Sequence, residues 1–257
     1  MSITVTTQHH EHVAVIRFAR PPLNFACPEL LAQIADALDA IDAEPQFRCS
    51  VLMADGKAFC AGADLAGDEA LTSGGAMDTV GDLYTQAKRI FRRAKPMVAA
   101  IHGAAVGAGL GLALAADFRV AAPAARFAAN FTALGFHPGF GLTYTLPRLL
   151  GAQRAGWMML SSERIKPEQA LEWGLVDRLA DPDTLLAEAH FMAREIAANG
   201  PLAVLAVRQT WLAGLTDAVA AAMAHEHARQ SELRTTADYA EGVAAVFERR
   251  PANFTGK

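Results

Sequence analysis

What this sequence has little of narrows the field first. Among its 257 residues are only three cysteines, Cys27, Cys49 and Cys60, at no paired spacing. An odd number of thiols at no paired spacing leads to the expectation of a reducing, cytoplasmic setting. Residues 1–12 are polar and carry no apolar core of signal length. No window reaches the roughly 20 apolar residues of a membrane span. The nearest, Met97 to Ala116, is broken by glycines and His102 and reads as buried core. Basic excess is also lacking. The net charge of −4 creates no global field to draw nucleic acid, so neither nucleic acid nor membrane is expected as a partner. His9, His10 and His12 lie together, but no carboxylate or cysteine set completes a metal site. A solvated turn, and no metal, is expected there.

What is present fits a densely packed chain. Hydrophobic residues make up 52% and charged residues 19%, over a length suited to one large domain or one and a half. Ile3–Thr7 and His12–Phe18 alternate apolar and polar residues, with a turn expected at His9–Glu11. Pro28 opens a helix whose buried stripe is Leu30, Leu31, Ile34, Leu38 and Ile41. Cys49–Ala54 reads as a short buried strand. Leu65–Asp82 carries four glycines and weak periodicity, which predicts a mobile loop. Leu83–Arg93 reads as a helix with Lys88, Arg89, Arg92 and Arg93 on a solvated face. Strands alternate with helices up to Asp177, which implies α/β architecture. Beyond Asp183 the pattern is helical: Thr184–Ala198, Leu202–Ala213, Asp217–Leu233 and Asp238–Arg249. This divides the chain into a core, 1–195, and a helical region, 196–257. His225 and His227 lack the i,i+4 spacing of paired ligands on one helix face.

Two stretches of small residues follow β-like runs. In the first, Ser50–Ala54 leads into Gly56-Lys57-Ala58-Phe59-Cys60-Ala61-Gly62-Ala63-Asp64-Leu65. In the second, Met97–Ile101 leads through His102-Gly103 to Val106-Gly107-Ala108-Gly109 and an apolar helix ending before Asp117. A helix starting on small residues presents bare N–H groups and a partial positive charge, which can hold a developing oxyanion. The same glycines would equally serve tight helix–sheet packing.

Together these stretches resemble the crotonase superfamily, the enoyl-CoA hydratase/isomerase family. The likeness continues through Leu134-Gly135-Phe136-His137-Pro138-Gly139, Leu146–Gly151, Ala170–Asp177 and Phe247–Phe254, almost the whole chain. It implies a crotonase (ClpP/crotonase-like) spiral of ββα units, a class of α/β fold, with a C-terminal helical region for trimerisation. It implies an acyl-CoA thioester as partner and CoA as part of the substrate, with no permanently bound cofactor. A homotrimer or dimer of trimers is expected.

Carried onto this chain, the family pattern makes the N–H groups of Ala63 and Ala108 the oxyanion donors. The hydratases' two glutamates fall at Gly111 and Phe131, and an aspartate of some isomerases falls at Gly139, so all three acids are absent. His137, on the same loop, is the nearest titratable substitute; packing or a backbone hydrogen bond is its other reading. Asp68 and Glu69 are further candidates, as are Asn130 and Tyr144 for orienting water or a polar acyl group. For CoA, the resemblance points to Leu23, Asn24 and Ala61 along the pantetheine–adenine path. Lys57 and Arg249 match positions that meet its phosphates, Arg249 from a neighbouring subunit. The expected chemistry is enolate stabilisation leading to isomerisation or decarboxylation rather than efficient hydration. The alternatives are a hydratase with relocated acid/base groups and a non-catalytic acyl-CoA binder.

Overall fold

A hairpin begins the chain. In the computed structural model, which describes residues 2–64 and 78–257, β1 (Thr4–His10) pairs antiparallel with β2 (Val13–Ala19). The strand runs through His9 and His10, so the turn is Glu11-His12, with Glu11 at φ +54°. The three histidines separate there. His9 packs its ring on Phe47, His10 on His190, and His12 places Nδ1 2.8 Å from the Gln46 carbonyl.

α1 (Pro28–Ala43) starts where Pro28 predicts, with Cys27 Sγ accepting from the Leu30 N–H. The chain then follows a repeating course. β3 (Cys49–Ala54) is followed by β4 (Ala58–Cys60) and α2 (Thr79–Arg92). β5 (Met97–Ile101) is followed by β6 (Ala104–Val106) and α3 (Ala108–Ala115). β7 (Phe118–Ala121) is followed by β8 (Arg126–Ala128) and a 3₁₀ turn, Thr132–Leu134. The first strand of each turn enters a six-stranded sheet, β1-β2-β3-β5-β7, which β9 (Arg178–Leu179) completes; the second enters a three-stranded sheet, β4-β6-β8. Among the described residues every pairing between named strands after the hairpin is parallel. This is a spiral of strand–strand–helix turns. Successive turns ride close: a Cβ on Gly103 would lie 2.7 Å from the Lys57 carbonyl oxygen.

The large sheet is covered on both faces, which explains why β2 is buried almost throughout rather than on alternate residues. Ala14, Ile16 and Phe18 join the core under α1, while Val13 and Val15 face α7 (Leu185–Ala197). The remaining helices are α4 (Leu142–Leu150), α5 (Ala152–Ser161) and α6 (Pro167–Trp173) before α7, then α8 (Pro201–Trp211), α9 (Leu215–Leu233) and α10 (Ala237–Glu248). The division expected at 195 falls inside α7. Among the described residues no helix is long and apolar enough to cross a membrane.

Two charged features depart from expectation. The basic run on α2 is not a uniformly solvated face. Arg89 reaches Asp36 and Asp39, and Arg93, only 3% exposed, donates to the Ala115 carbonyl and to Asp117, each at 2.6 Å. Arg208 from α8 pairs with the same carboxylate at 3.1 Å. The physical reason is that α2 and α3 end together, and the guanidinium satisfies carbonyls at both C-termini. Burial would raise the pKa of Asp117, but Arg93, Arg208 and the Met97 N–H hold it below the usual carboxylate range. On α9, Glu226 is fully buried and accepts from the N–H groups of Gly141 and Thr143 at 2.7 and 2.9 Å. It thereby caps the start of α4, and burial pushes its own pKa up.

Candidate active site

The two small-residue turns meet. β4 and β6 are hydrogen-bonded neighbours, with Ala58 opposite Ala104 and Cys60 opposite Ala105. Each therefore delivers the following turn to the same end of the small sheet. Gly62 adopts φ +102°, and its carbonyl accepts from the Ala26 N–H at 2.7 Å. Gly107 adopts φ +54°, ψ −118° and caps α3. A Cβ on Gly62 would lie 3.1 Å from the Val106 carbonyl oxygen, and one on Gly107 would lie 3.9 Å from Gly62 Cα. Ala108 is the first residue of α3, so its N–H has no intrahelical acceptor. Among the described residues, the N–H of neither Ala63 nor Ala108 makes a hydrogen bond. Packing claims a different glycine. A Cβ on Gly109 would stand 2.0 Å from the Cys60 carbonyl oxygen, so Gly109 lets α3 press directly on β4.

These turns form one wall of a cavity of about 70 Å³, which Ala61, Gly62, Ala63, Gly107 and Ala108 line. Val80, Leu83 and Tyr84 of α2 face them, with Phe131, Phe136 and Phe140 and, from α9, Gln230. The three positions lacking acids are filled by other groups. A Cβ on Gly111 would fall 2.5 Å from Phe140 Cδ1; Phe140 is 1% exposed and sits at φ +62°. A Cβ on Gly139 would fall 2.1 Å from the Tyr84 hydroxyl and 2.5 Å from Gln230 Nε2. Phe131 puts its own ring on the cavity wall. The Tyr84 hydroxyl donates to Gln230 Oε1 at 3.0 Å, and Gln230 Nε2 donates to the His137 carbonyl at 2.9 Å. Burial pushes the Tyr84 pKa up, so the phenol is neutral at physiological pH.

The residues expected from sequence divide between cavity and surroundings. Ala61, Ala63, Ala108 and Asn130 line the cavity. The His137 imidazole does not; its Nδ1 lies 2.7 Å from the Pro138 carbonyl oxygen, and the ring packs edge-on to His225. Tyr144 is partly buried against the core. The Leu23 carbonyl accepts from the Ala61 N–H at 3.1 Å. Asn24 spans that strip from below: its side chain accepts from the Arg20 N–H and donates to the carbonyls of Asp55 and Ala58. Lys57 is exposed, as is Arg249 at the end of α10. Asp68, Glu69 and the glycine-bearing stretch 65–77 lie outside the described residues.

Sequence reasoning missed Tyr84, Phe140, Gln230 and Arg234, all of which line the cavity. Gln230 on α9 and Arg234 at its C-terminal cap stand four residues apart and so share a face. Nothing in that spacing indicates the turns more than a hundred residues earlier.

Comparison with known proteins points to one family. The sequence pattern described as enoyl-CoA hydratase/isomerase matches residues 8–257. The 1,2-epoxyphenylacetyl-CoA isomerase of Escherichia coli is 34% identical over 250 residues, covering 95% of each chain. The crotonyl-CoA hydratase of Syntrophomonas wolfei is 33% identical over 256 residues, covering 98% of each. The crystal structure of an enoyl-CoA hydratase/isomerase from Pseudoalteromonas atlantica superposes with a TM-score of 0.85 at 30% identity, covering 98% of this chain and 99% of that one.

Proposed function

This chain belongs to the enoyl-CoA hydratase/isomerase family, and on that premise we propose that it stabilises a thioester enolate between the N–H groups of Ala63 and Ala108. The observation that carries the reading is the convergence of two unbonded backbone donors, from touching turns, on one cavity wall. Such donors act on charge that develops only as the reaction proceeds, and each is worth about 3 kcal/mol of transition-state stabilisation.

Efficient hydration needs a base for water and an acid for Cα. Gly111, Phe131 and Gly139 supply neither, and Phe140, Tyr84 and Gln230 fill the space where acids would stand. Two reactions tolerate this. In decarboxylation of a malonyl-type thioester the bond from Cα to the carboxylate breaks. Its electron pair becomes the enolate, carbon dioxide leaves, and Cα later takes a proton. In double-bond isomerisation one base removes a proton and returns it elsewhere, and His137 is the titratable candidate on the loop that carries Phe136 and Gly139. The position of its imidazole favours decarboxylation. Hydration by relocated groups is the second reading, which the name of the Syntrophomonas relative favours.

For the CoA portion we assign the strip of Leu23, Asn24 and Ala61 to pantetheine and Lys57 to the phosphates. Arg249 acts on the site of a neighbouring subunit in a homotrimer or dimer of trimers. Turnover of malonyl-, enoyl- and aryl-CoA thioesters tests the whole reading. Malonyl-type substrates should release carbon dioxide, and crotonyl-CoA should hydrate on the order of 10² to 10⁴-fold more slowly per missing group than with a two-glutamate relative. Matched hydration rates would transfer the assignment to the relocated hydratase, and binding without any turnover would leave a carrier of acyl-CoA. His137→Ala should leave decarboxylation intact. Loss of Cα proton exchange with deuterated solvent in that variant would instead establish the isomerase branch.

A further inference from the structure

Phe140 stands in a backbone conformation that a bulky residue keeps only when its surroundings hold it. Its φ is +62°, and Gly141 follows at +75°. The hold comes from α9. Glu226 accepts from the N–H groups of Gly141 and Thr143, and also from the Thr143 hydroxyl at 2.6 Å. Gln230, four residues on and so on the same helix face, donates to the His137 carbonyl at 2.9 Å. One helix face thus grips both ends of the stretch 137–143. Between the two grips lie Gly139 and Phe140, which line the cavity; Glu226 does not line it.

The three groups that meet the Glu226 carboxylate are all donors, so its ionised, acceptor-only form is the one the geometry fits. Ionisation there is opposed. The side chain is closed to water, and burial pushes its pKa up against the pull of those three bonds and of His137. Other charged groups around it are engaged elsewhere. On α9, His225 packs on the His137 ring and His227 lies 3.1 Å from Asp78. Arg148, the charged residue of α4, donates to the Trp211 carbonyl. On α2, Tyr84 is kept neutral by burial first and by the Glu226 charge second. A carboxylate kept ionised against burial costs the fold stability, and what it supplies is the place of the turn.

We infer that Glu226 is a positioning residue for acyl recognition: by clamping the backbone at 141 and 143, it sets Gly139 and Phe140 as the floor on which the acyl group lies. The inference rests on the reading of this cavity as the acyl site and adds how its shape is held. Protonation turns an accepting oxygen into a donor that faces donors, so the clamp slackens as pH falls through the raised pKa. The sign for stability is the opposite. With the folded pKa above the unfolded one, the stability this group contributes is full below the unfolded value and is lost as pH rises through the folded one. Acid should therefore weaken acyl binding without a matching loss of stability from Glu226, which a merely structural clamp would not do.

Calorimetric titration of the full chain with butyryl-CoA and with CoA, from about pH 8 to about pH 5, tests this. The ratio of the two affinities isolates the acyl group and cancels the titration of the CoA phosphates. It should fall about tenfold toward the acid end, the order of one or two lost hydrogen bonds. In Glu226→Gln the ratio should be low at every pH, with binding of CoA itself unchanged. Thr143→Val keeps the charge and both backbone bonds, so it should lower the ratio by less and retain the pH dependence. A folded Glu226→Gln whose ratio follows that of the parent across pH overturns the inference. Should Glu226→Gln not fold, Thr143→Val decides, and an unchanged ratio there overturns it equally. Failure of the parent to bind either ligand removes the acyl-CoA reading and the inference with it.

Discussion

At the scale of single residues, three positions without acids and the atoms that replace them decide what the cavity can host. Glutamate cannot simply be restored at position 111, because its Cβ would fall within 2.6 Å of Phe140 Cβ, Cγ and Cδ1. Gly111→Glu should lower stability by at least the roughly 1–3 kcal/mol of an overpacked core, read by thermal denaturation, and gain no hydratase activity. Adding Phe140→Gly clears that space and relieves the φ of +62°, but it also removes a fully buried ring, so the double variant should stay less stable than the parent. A sharper probe is Ala108→Pro. Proline is tolerated at the first position of a helix; it removes the N–H and sets its Cδ in the place of that hydrogen. Folding should persist while turnover falls on the order of 10²–10³-fold. Unchanged turnover in a folded variant would remove Ala108 from the proposed donor pair. The two turns were legible in sequence because they are made of glycine and alanine, and the proposed donors within them came from the family resemblance. Phe140 was not, because its left-handed backbone and its contact with Gly111 exist only once α3 and the 136–141 loop are packed together.

At the scale of elements, the ends of α2, α3 and α8 are tied by one carboxylate. Asp117 serves Arg93, Arg208 and the Met97 N–H in a site almost closed to water. Its folded pKa lies below its ordinary value, so it contributes stability that is complete above about pH 4 and is lost as pH falls through the lower folded value. Asp117→Asn should therefore cost roughly 3–5 kcal/mol at pH 7, because two buried guanidinium groups lose their counter-charge. Below pH 4 its stability should fall less steeply than that of the parent, which denaturant titrations across pH would record. The contact of α3 with β4 has its own weak point. Gly109→Ala would drive a methyl into the Cys60 carbonyl, so α3 must retreat, and both stability and turnover should drop. Helix and strand positions followed from periodicity and from Pro28, which stands at the start of its helix. The arginine of α2 was misplaced because a charge run reads as solvated until a buried partner arrives from elsewhere in the chain.

At the scale of the whole molecule, the late helices complete the site and leave apolar surface outside. Leu202 and Val207 of α8 are 82% and 67% exposed, and Leu160 at the end of α5 is 78% exposed. Covering them is the physical case for the proposed trimer. Light scattering behind size exclusion should give three or six times the 27.3 kDa chain mass, and Leu202→Glu with Val207→Glu should shift it toward the monomer. The α/β class and the helical tail were open to sequence reasoning. The spiral came from the family resemblance alone, because its three turns share a path and no sequence repeat. That path has a consequence for the proposed chemistry. Ala63 and Ala108 follow adjacent strands of one ladder, and strands in a ladder stand about 4.8 Å apart. One oxygen accepting from two N–H groups at about 2.9 Å each can bridge such a gap. The width of the anion seat is thus metered by the pitch of the sheet, as a ruler cut into the backbone. Side-chain exchange cannot retune it, whereas deleting a single residue between Cys60 and Ala63 would throw it out of gauge.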